Sequence, residues 1–133
     1  MNFPLLHPAT VHFPIGLFFF EMLLLILWMT KKKVEYKHTA LICFRTAYIF
    51  LILSAITGLI DAGGLDGITG KVRPHFFGAV CVFVVQTFRA LHWRFERKET
   101  VREANIFVTF SVAAYAITLI TGFFGGAIVY SQS

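Results

Sequence analysis

Very little of this sequence suits an aqueous environment. Charged residues make up 14% of the 133 positions and hydrophobic residues 57%. That balance excludes an ordinary soluble domain and a disordered chain. The basic residues fall in short connections between apolar stretches, so the sequence offers no continuous basic surface for nucleic acid. The length allows one domain, and we expect residues 1–133 to form it.

Cysteine is scarce as well. Cys43 and Cys81 both fall inside apolar stretches, where we expect small buried side chains rather than a disulfide framework. No Cys-x-x-Cys-His pattern occurs. Any haem in this protein is therefore expected to be bound without a covalent bond.

Four apolar stretches fill the chain, and each has the length of a membrane span. A bilayer core about 30 Å thick needs about 20 mostly apolar residues in a helix. Short connections make consecutive helices antiparallel neighbours, so the predicted fold class is an all-α membrane protein, an up-down bundle of four transmembrane helices. The stretches run from about Phe13 to Thr30, Ala40 to Ile60, His75 to Leu91 and Ile106 to Val129.

The lysines and arginines predict the orientation of the bundle. They concentrate in the first and third connections, which the positive-inside rule places in the cytoplasm. Both termini and the glycine-rich second connection, residues 61–73, are then expected outside. The basic residues concerned are Lys31, Lys32, Lys33 and Lys37 in the first connection and Arg94, Arg97, Lys98 and Arg102 in the third.

Two histidines stand out because each opens a span that starts on the outer side. Helix one is expected to begin near Thr10 as N-cap, which places His12 just inside it, and His75 opens helix three. Imidazoles from two helices at one depth are suited to the two axial positions of a haem iron in the core of a bundle. We therefore predict His12 and His75 as axial ligands of a haem b.

Other outer residues complete this candidate site. His7 lies five positions before His12 and points about 140° away from it if both are helical, so it is assigned to contacts around the haem. Arg73 and Tyr130 are expected near the propionates, with arginine offering a charge-assisted fork. The same two histidines with His7, Asp61 or Asp66 could instead hold a bare zinc, copper or iron ion. The third alternative is that both histidines only hydrogen-bond to water and backbone at the mouth of the helices.

One carboxylate lies deep inside a span. Glu21 is costly at that depth unless it is paired, and Arg45 on helix two is the expected partner. Arg89 is expected to extend towards the cytoplasmic boundary. Gly122 and Gly126 have the small-x-x-x-small spacing of a helix contact, within the bundle or with another subunit.

Four pieces of the sequence resemble the predicted membrane protein family of unknown function numbered twenty-two thirty-one. The most specific is the run from His7 to Pro14 (HPATVHFP); the others are Thr57 to Asp61 (TGLID), His75, and Gly125 to Tyr130 (GGAIVY). The resemblance covers the four-span layout. It implies a bacterial inner-membrane protein, and it carries polar positions over to His7, His12, Asp61, His75 and Tyr130.

The resemblance also implies a redox setting, because family members often occur beside or fused to c-type cytochromes and Rieske-like domains. We therefore expect a small b-type cytochrome, or a haem-bearing subunit of a respiratory complex. It would pass electrons between the quinone pool and a periplasmic c-type cytochrome, with lipid, other membrane subunits and quinone as partners. The alternative is a non-redox accessory or transporter-like subunit with an outer His/Asp metal site.

Overall fold

The computed structural model describes residues 6–70, 72–95 and 101–130. The described chain contains four long helices and no β-strand, which confirms the predicted fold class. A single 3-10 turn, Leu65–Gly67, interrupts the connection between the second and third helices. The helices are α1 (Leu6–Lys31), α2 (Val34–Asp61), α3 (Val72–Phe95) and α4 (Val101–Tyr130).

All four helices are long and apolar enough to cross a membrane. The qualifying segments are Ala9–Lys31, Val34–Asp61, Val72–Trp93 and Asn105–Ala127. Large apolar side chains cover the outer surface of the bundle; Ile60 and Phe123, for example, are 70% and 76% exposed. Such exposure is expected where lipid rather than water surrounds the helices, because acyl chains are as apolar as the side chains they contact.

The first helix begins earlier than the sequence suggested. α1 already includes Leu6 and His7, and the Thr10 hydroxyl donates to the His7 carbonyl oxygen at 2.9 Å inside the helix. The expectation that Thr10 is the N-cap is therefore wrong. His7 is a helical residue, and its side chain direction is set by α1.

The two tight connections need unusual backbone geometry. Lys32 joins α1 to α2 with φ 56°, a left-handed conformation that ends the first helix. After α2, Gly63 and Gly64 have φ 76° and 86°, and the Gly64 N–H bonds to the Leu59 carbonyl at 2.9 Å. Glycine permits this reversal because it has no Cβ to clash in the left-handed region.

The helices pack as two hairpins. α1 packs most extensively on α2, α3 packs on α4, and the hairpins meet mainly through α1 and α4. α2 and α3 contact each other least among neighbouring helices. The lysine end, which we define as the end carrying Lys31–Lys33, has the solid core. That core contains Phe18, Phe44 and Ala47, surrounded by Leu17, Leu51, Ala90, Trp93 and Tyr115.

Candidate functional site: a histidine pair in an apolar cavity

The opposite end of the bundle, here called the histidine end, encloses a cavity of about 330 Å³. All four helices and the connection after α2 contribute to its wall. Most of the lining is apolar, and two imidazoles are among its few polar groups. The wall includes His7 and Val11 from α1, Ala55 from α2, Ile68 from the connection, His75 from α3 and Thr121 from α4.

His7 and His75 face each other across this cavity. Their ring centroids are 6.2 Å apart and the rings are inclined by 70°. α1 and α3 lie on a diagonal of the bundle, so the two side chains reach towards its axis from opposite sides. Both are half-buried.

His7 is held by two residues of α2. Its Nδ1 lies 3.3 Å from the Thr57 hydroxyl, which also lies within hydrogen-bonding distance of the Leu53 carbonyl of its own helix. When the hydroxyl donates to that carbonyl, its oxygen accepts from Nδ1–H of His7. Gly58 leaves room for the ring, because a Cβ there would lie 2.7 Å from His7 Cε1.

His75 is held by α4 in a similar way. Its Nδ1 lies 3.0 Å from the Thr121 carbonyl oxygen. A carbonyl can only accept, so Nδ1 carries the proton and, in the neutral ring, Nε2 keeps its lone pair. Gly125 accommodates the ring, because a Cβ there would lie 2.8 Å from His75 Cε1.

The surroundings of His7 favour the neutral ring. His7 precedes the apolar span that begins at Ala9. Burial lowers the pKa of His7 and the nearby His75 lowers it further, while a backbone contact at Ser54 and the charge of Asp61 act in the opposite direction. A neutral imidazole is the form that binds a metal ion.

His12 does not join this site. It is exposed and is not part of the cavity wall, whereas His7, five residues earlier on the same helix, faces inward. The angular separation of the two residues was predicted correctly, but the inward-facing member is His7. The structure thus brings His75 together with His7 and not with His12.

Arg73 and Asp61 do not line the cavity. Arg73 is exposed, with its guanidinium 5.8 Å from the centre of the Phe77 ring. Asp61 is exposed at the end of α2. Tyr130 ends α4, and its side chain lies outside the described part of the structure. Among the described residues, no three His, Cys, Asp or Glu side chains are grouped to hold a metal ion.

A second polar cluster lies deep in the bundle, between the histidine site and the lysine end. Glu21 Oε1 accepts from Arg89 Nη2 at 2.7 Å and from the Ser111 hydroxyl at 2.9 Å. Arg89 Nη2 also contacts Ser111 Oγ, and Nη1 donates to Gln86 Oε1 at 2.7 Å. The Arg89 guanidinium lies 4.9 Å from the centre of the Phe44 ring, where it forms a cation–π contact.

This cluster corrects two expectations. Glu21 pairs with Arg89, not with Arg45, which is exposed on α2. Arg89 is only 3% exposed, so it does not extend to the membrane boundary. The sequence pointed to a buried Glu21 with a cationic partner, and it failed to identify the helix that supplies that partner.

Sequence reasoning also missed the threonines and glycines that hold the two imidazoles. The triplet Ile-Thr-Gly occurs at 56–58, 68–70 and 120–122, and the threonines of the first and last copies are the two that hold the imidazoles, whereas Gly125 belongs to none of the copies. Gly122 does lie at a helix contact, since a Cβ there would lie 3.5 Å from Ile15 of α1. A Cβ on Gly126 would meet nothing within 4 Å.

Comparison with known proteins gives one match, at the level of the family. No curated protein and no solved structure matches the chain. A family model described as "Predicted membrane protein (DUF2231)" matches residues 4–133, which is nearly the whole chain. The chain therefore belongs to the DUF2231 family of predicted membrane proteins.

Proposed function

We propose that this protein is a small b-type cytochrome of the bacterial inner membrane, with one non-covalent haem between His7 and His75. The observation that carries the proposal is the pair of inward-facing imidazoles, 6.2 Å apart across an apolar cavity. His7 replaces His12 in the ligand pair expected from the sequence.

The spacing of the rings suits one metal ion between them. Metal–imidazole bonds are about 2.0–2.1 Å long, so two rings on opposite sides of one ion have centroids about 6 Å apart. The hydrogen bonds support the same arrangement. Nδ1 of each ring has a partner on a neighbouring helix, which leaves Nε2 for the ion. Metal-binding histidines usually have their other nitrogen fixed in this way.

The donor set favours haem over a bare ion. A zinc site normally needs at least three protein ligands, and the described residues offer no such group around the two histidines. A porphyrin supplies four nitrogens itself, so the imidazoles of His7 and His75 would be enough to complete the coordination of its iron. The apolar wall also suits the macrocycle. Asp61 is exposed and does not line the cavity, so we do not propose it as a third ligand.

The bound haem would supply the redox chemistry by taking up and releasing one electron. His7 and His75 would hold the haem through Nε2, with Nδ1 fixed by its hydrogen bond to a neighbouring helix, and the apolar side chains of the wall would exclude water. By the positive-inside rule, the lysines at the far end of the bundle support an orientation with the histidine end outside the cytoplasm. We therefore propose electron transfer between the quinone pool and a periplasmic c-type cytochrome, with other membrane subunits as companions.

The test is a reduced-minus-oxidised absorption spectrum of the purified protein and four variants. We expect low-spin Soret and α bands in the wild type, lost or converted to a high-spin form in His7→Ala and in His75→Ala. His12→Ala and His38→Ala are the controls, since both side chains lie outside the cavity wall, and they should keep the bands. A wild-type protein without haem after expression with excess haem would refute the proposal. Low-spin bands that survive loss of both His7 and His75 would also refute it.

A further inference from the structure

The two hairpins are built on one pattern. The pattern of buried side chains along α1 repeats along α3, where each buried residue that the structure describes lies 68 positions after a buried residue of α1. His7 and His75 are also 68 positions apart. In α2 and α4, the matching offset is 64 positions, and it relates Thr57 to Thr121. The pairs in which both residues are buried are Pro14 with Val82, Phe18 with Gln86, Glu21 with Arg89, Ala47 with Ser111, and Ser54 with Thr118.

Such a repeat makes a prediction about packing. If the hairpins are related by a two-fold axis along the bundle, the α2–α3 seam should be packed like the α1–α4 seam. The two seams differ, because α1 packs well on α4 while α2 and α3 contact each other little. Ile15 lies against Gly122 in the closed seam. In the α2–α3 seam the equivalent residues are Phe83 and Gly58. There the His7 ring, and not Phe83, packs against Gly58.

The α2–α3 seam is closed only towards the lysine end. There the Tyr48 ring stacks on Phe83 with centroids 6.0 Å apart, and the Tyr48 hydroxyl lies 2.7 Å from the Thr87 hydroxyl. One to three turns closer to the histidine end, Ala55, Leu59 and Val80 line the cavity and are also exposed on the outer surface of the bundle. The cavity therefore opens sideways, within the length of the apolar spans.

We propose that this opening, which we call the portal and define by Ala55, Leu59, Val80 and Phe83, admits haem from the bilayer into the cavity. This proposal rests on the proposed function. Every residue of the portal is apolar, which suits a macrocycle dissolved among acyl chains. On the water-facing side, Ala62 and Ile68 of the connection form part of the cavity wall. Entry from the bilayer would thus avoid the connection and reach the two imidazoles between α2 and α3.

The first test narrows the portal and measures the rate of haem uptake. Apoprotein in lipid nanodiscs is mixed with haem dissolved in the same lipid, and the Soret band is followed with time. Ala55→Trp should slow uptake at least about tenfold. Ile56→Trp is the matched control, because Ile56 is 52% exposed on the same helix and does not line the cavity. It should leave the rate unchanged.

Two outcomes would overturn the portal. Equal rates for Ala55→Trp and Ile56→Trp would show that α2 does not border the route. A slow rate confined to Ile68→Trp would place the route through the connection instead. If the wild type takes up no haem under any condition, the proposed function fails, and a second test then examines the portal alone.

That second test needs no haem. An aryl diazirine dissolved in the bilayer is photoactivated, and the labelled side chains are located by mass spectrometry. Val82 is only 3% exposed but lines the cavity, while its neighbours Cys81 and Val84 are exposed. We expect label at all three in the wild type, with label at Val82 alone lost in Ala55→Trp. Label at Cys81 and Val84 without label at Val82 in the wild type would overturn the portal independently of haem.

Discussion

Among the described residues, two groups of polar side chains lie inside the bundle, and their surroundings differ. At the histidine end, His7 and His75 border an open cavity, and each ring has one nitrogen available beyond its hydrogen bond. In the interior, Glu21 and Arg89 are 1% and 3% exposed, and they bond directly to each other. The ion pair lies in the bundle interior, whereas the two histidines border a cavity.

This difference in surroundings distinguishes polar residues that stabilise the fold from polar residues that can bind a ligand. A buried ion pair in close packing holds particular helices together, because each charge would be very costly without the other. The two imidazoles each use one nitrogen in a hydrogen bond to a neighbouring helix, and the second nitrogen beside the cavity can bind a ligand. In the sequence of a membrane protein, a residue of a buried ion pair and a residue of a binding site both occur as a single polar residue within an apolar stretch. Only the space around them tells the two roles apart.

Breaking the ion pair should destabilise the protein more than any change at the histidine end. Arg89→Leu leaves the Glu21 carboxylate buried without its cation, which costs about 3–5 kcal/mol. We expect a severe loss of monodisperse protein and of thermal stability in detergent. Arg45→Leu is the control, because Arg45 is exposed, and it should have little effect.

The double variant Glu21→Leu/Arg89→Leu sharpens this test. Replacing a whole buried pair by apolar residues is often close to neutral, so most of the lost stability should return. A double variant as unstable as Arg89→Leu alone would contradict the view that the unpaired charge causes the damage. Equal damage from Arg45→Leu would contradict the observed pairing.

At the histidine end, glycine variants should impair ligand binding without impairing the fold. Gly125→Ala introduces a Cβ 2.8 Å from His75 Cε1, so the imidazole must shift. Overpacking of this kind costs about 1–3 kcal/mol, and we expect this loss in haem affinity, measured by titration of the apoprotein. Gly126→Ala is the adjacent control, since its Cβ meets nothing within 4 Å. Equal affinities for the two variants would mean that the position of His75 is unimportant.

The sequence predicted the helices well because hydropathy reports directly on whether a segment can cross a bilayer. It did not predict which side of each helix faces inward. In a lipid environment apolar residues cover both sides: Phe18 is buried, while Phe13 and Phe20 on the same helix are more than half exposed. Without an amphipathic pattern, His7 and His12 could be separated by angle, but neither could be assigned to the interior.

The partner of Glu21 was missed for a related reason. Depth in the membrane was counted from the ends of the apolar stretches, and Arg89 lay two residues before the expected end of the third. α3 instead continues to Phe95, so Arg89 lies more than one turn inside the helix. Gln86, one turn earlier, then lies on the same buried face and binds it. The depth of a residue in the membrane, when it is counted from the ends of an apolar stretch, is uncertain by about one helical turn. That error is large enough to make Arg45 rather than Arg89 the expected partner of Glu21.

The smallest effect is expected from the hydroxyl that orients His7. Thr57→Val removes the oxygen 3.3 Å from His7 Nδ1 and keeps the shape of the side chain. Losing one such hydrogen bond costs about 0.5–1.5 kcal/mol, which corresponds to roughly 2- to 12-fold in haem affinity. The His7 ring would still pack against Gly58, so the low-spin spectrum should persist.

Thr39→Val is the control, because its hydroxyl bonds to the Glu35 carbonyl of its own helix, on an exposed surface. Haem titration of both variants checks this prediction. A complete loss of haem in Thr57→Val would mean that the hydroxyl does more than orient the ring, and an unchanged affinity would mean that packing on Gly58 alone holds His7 in place.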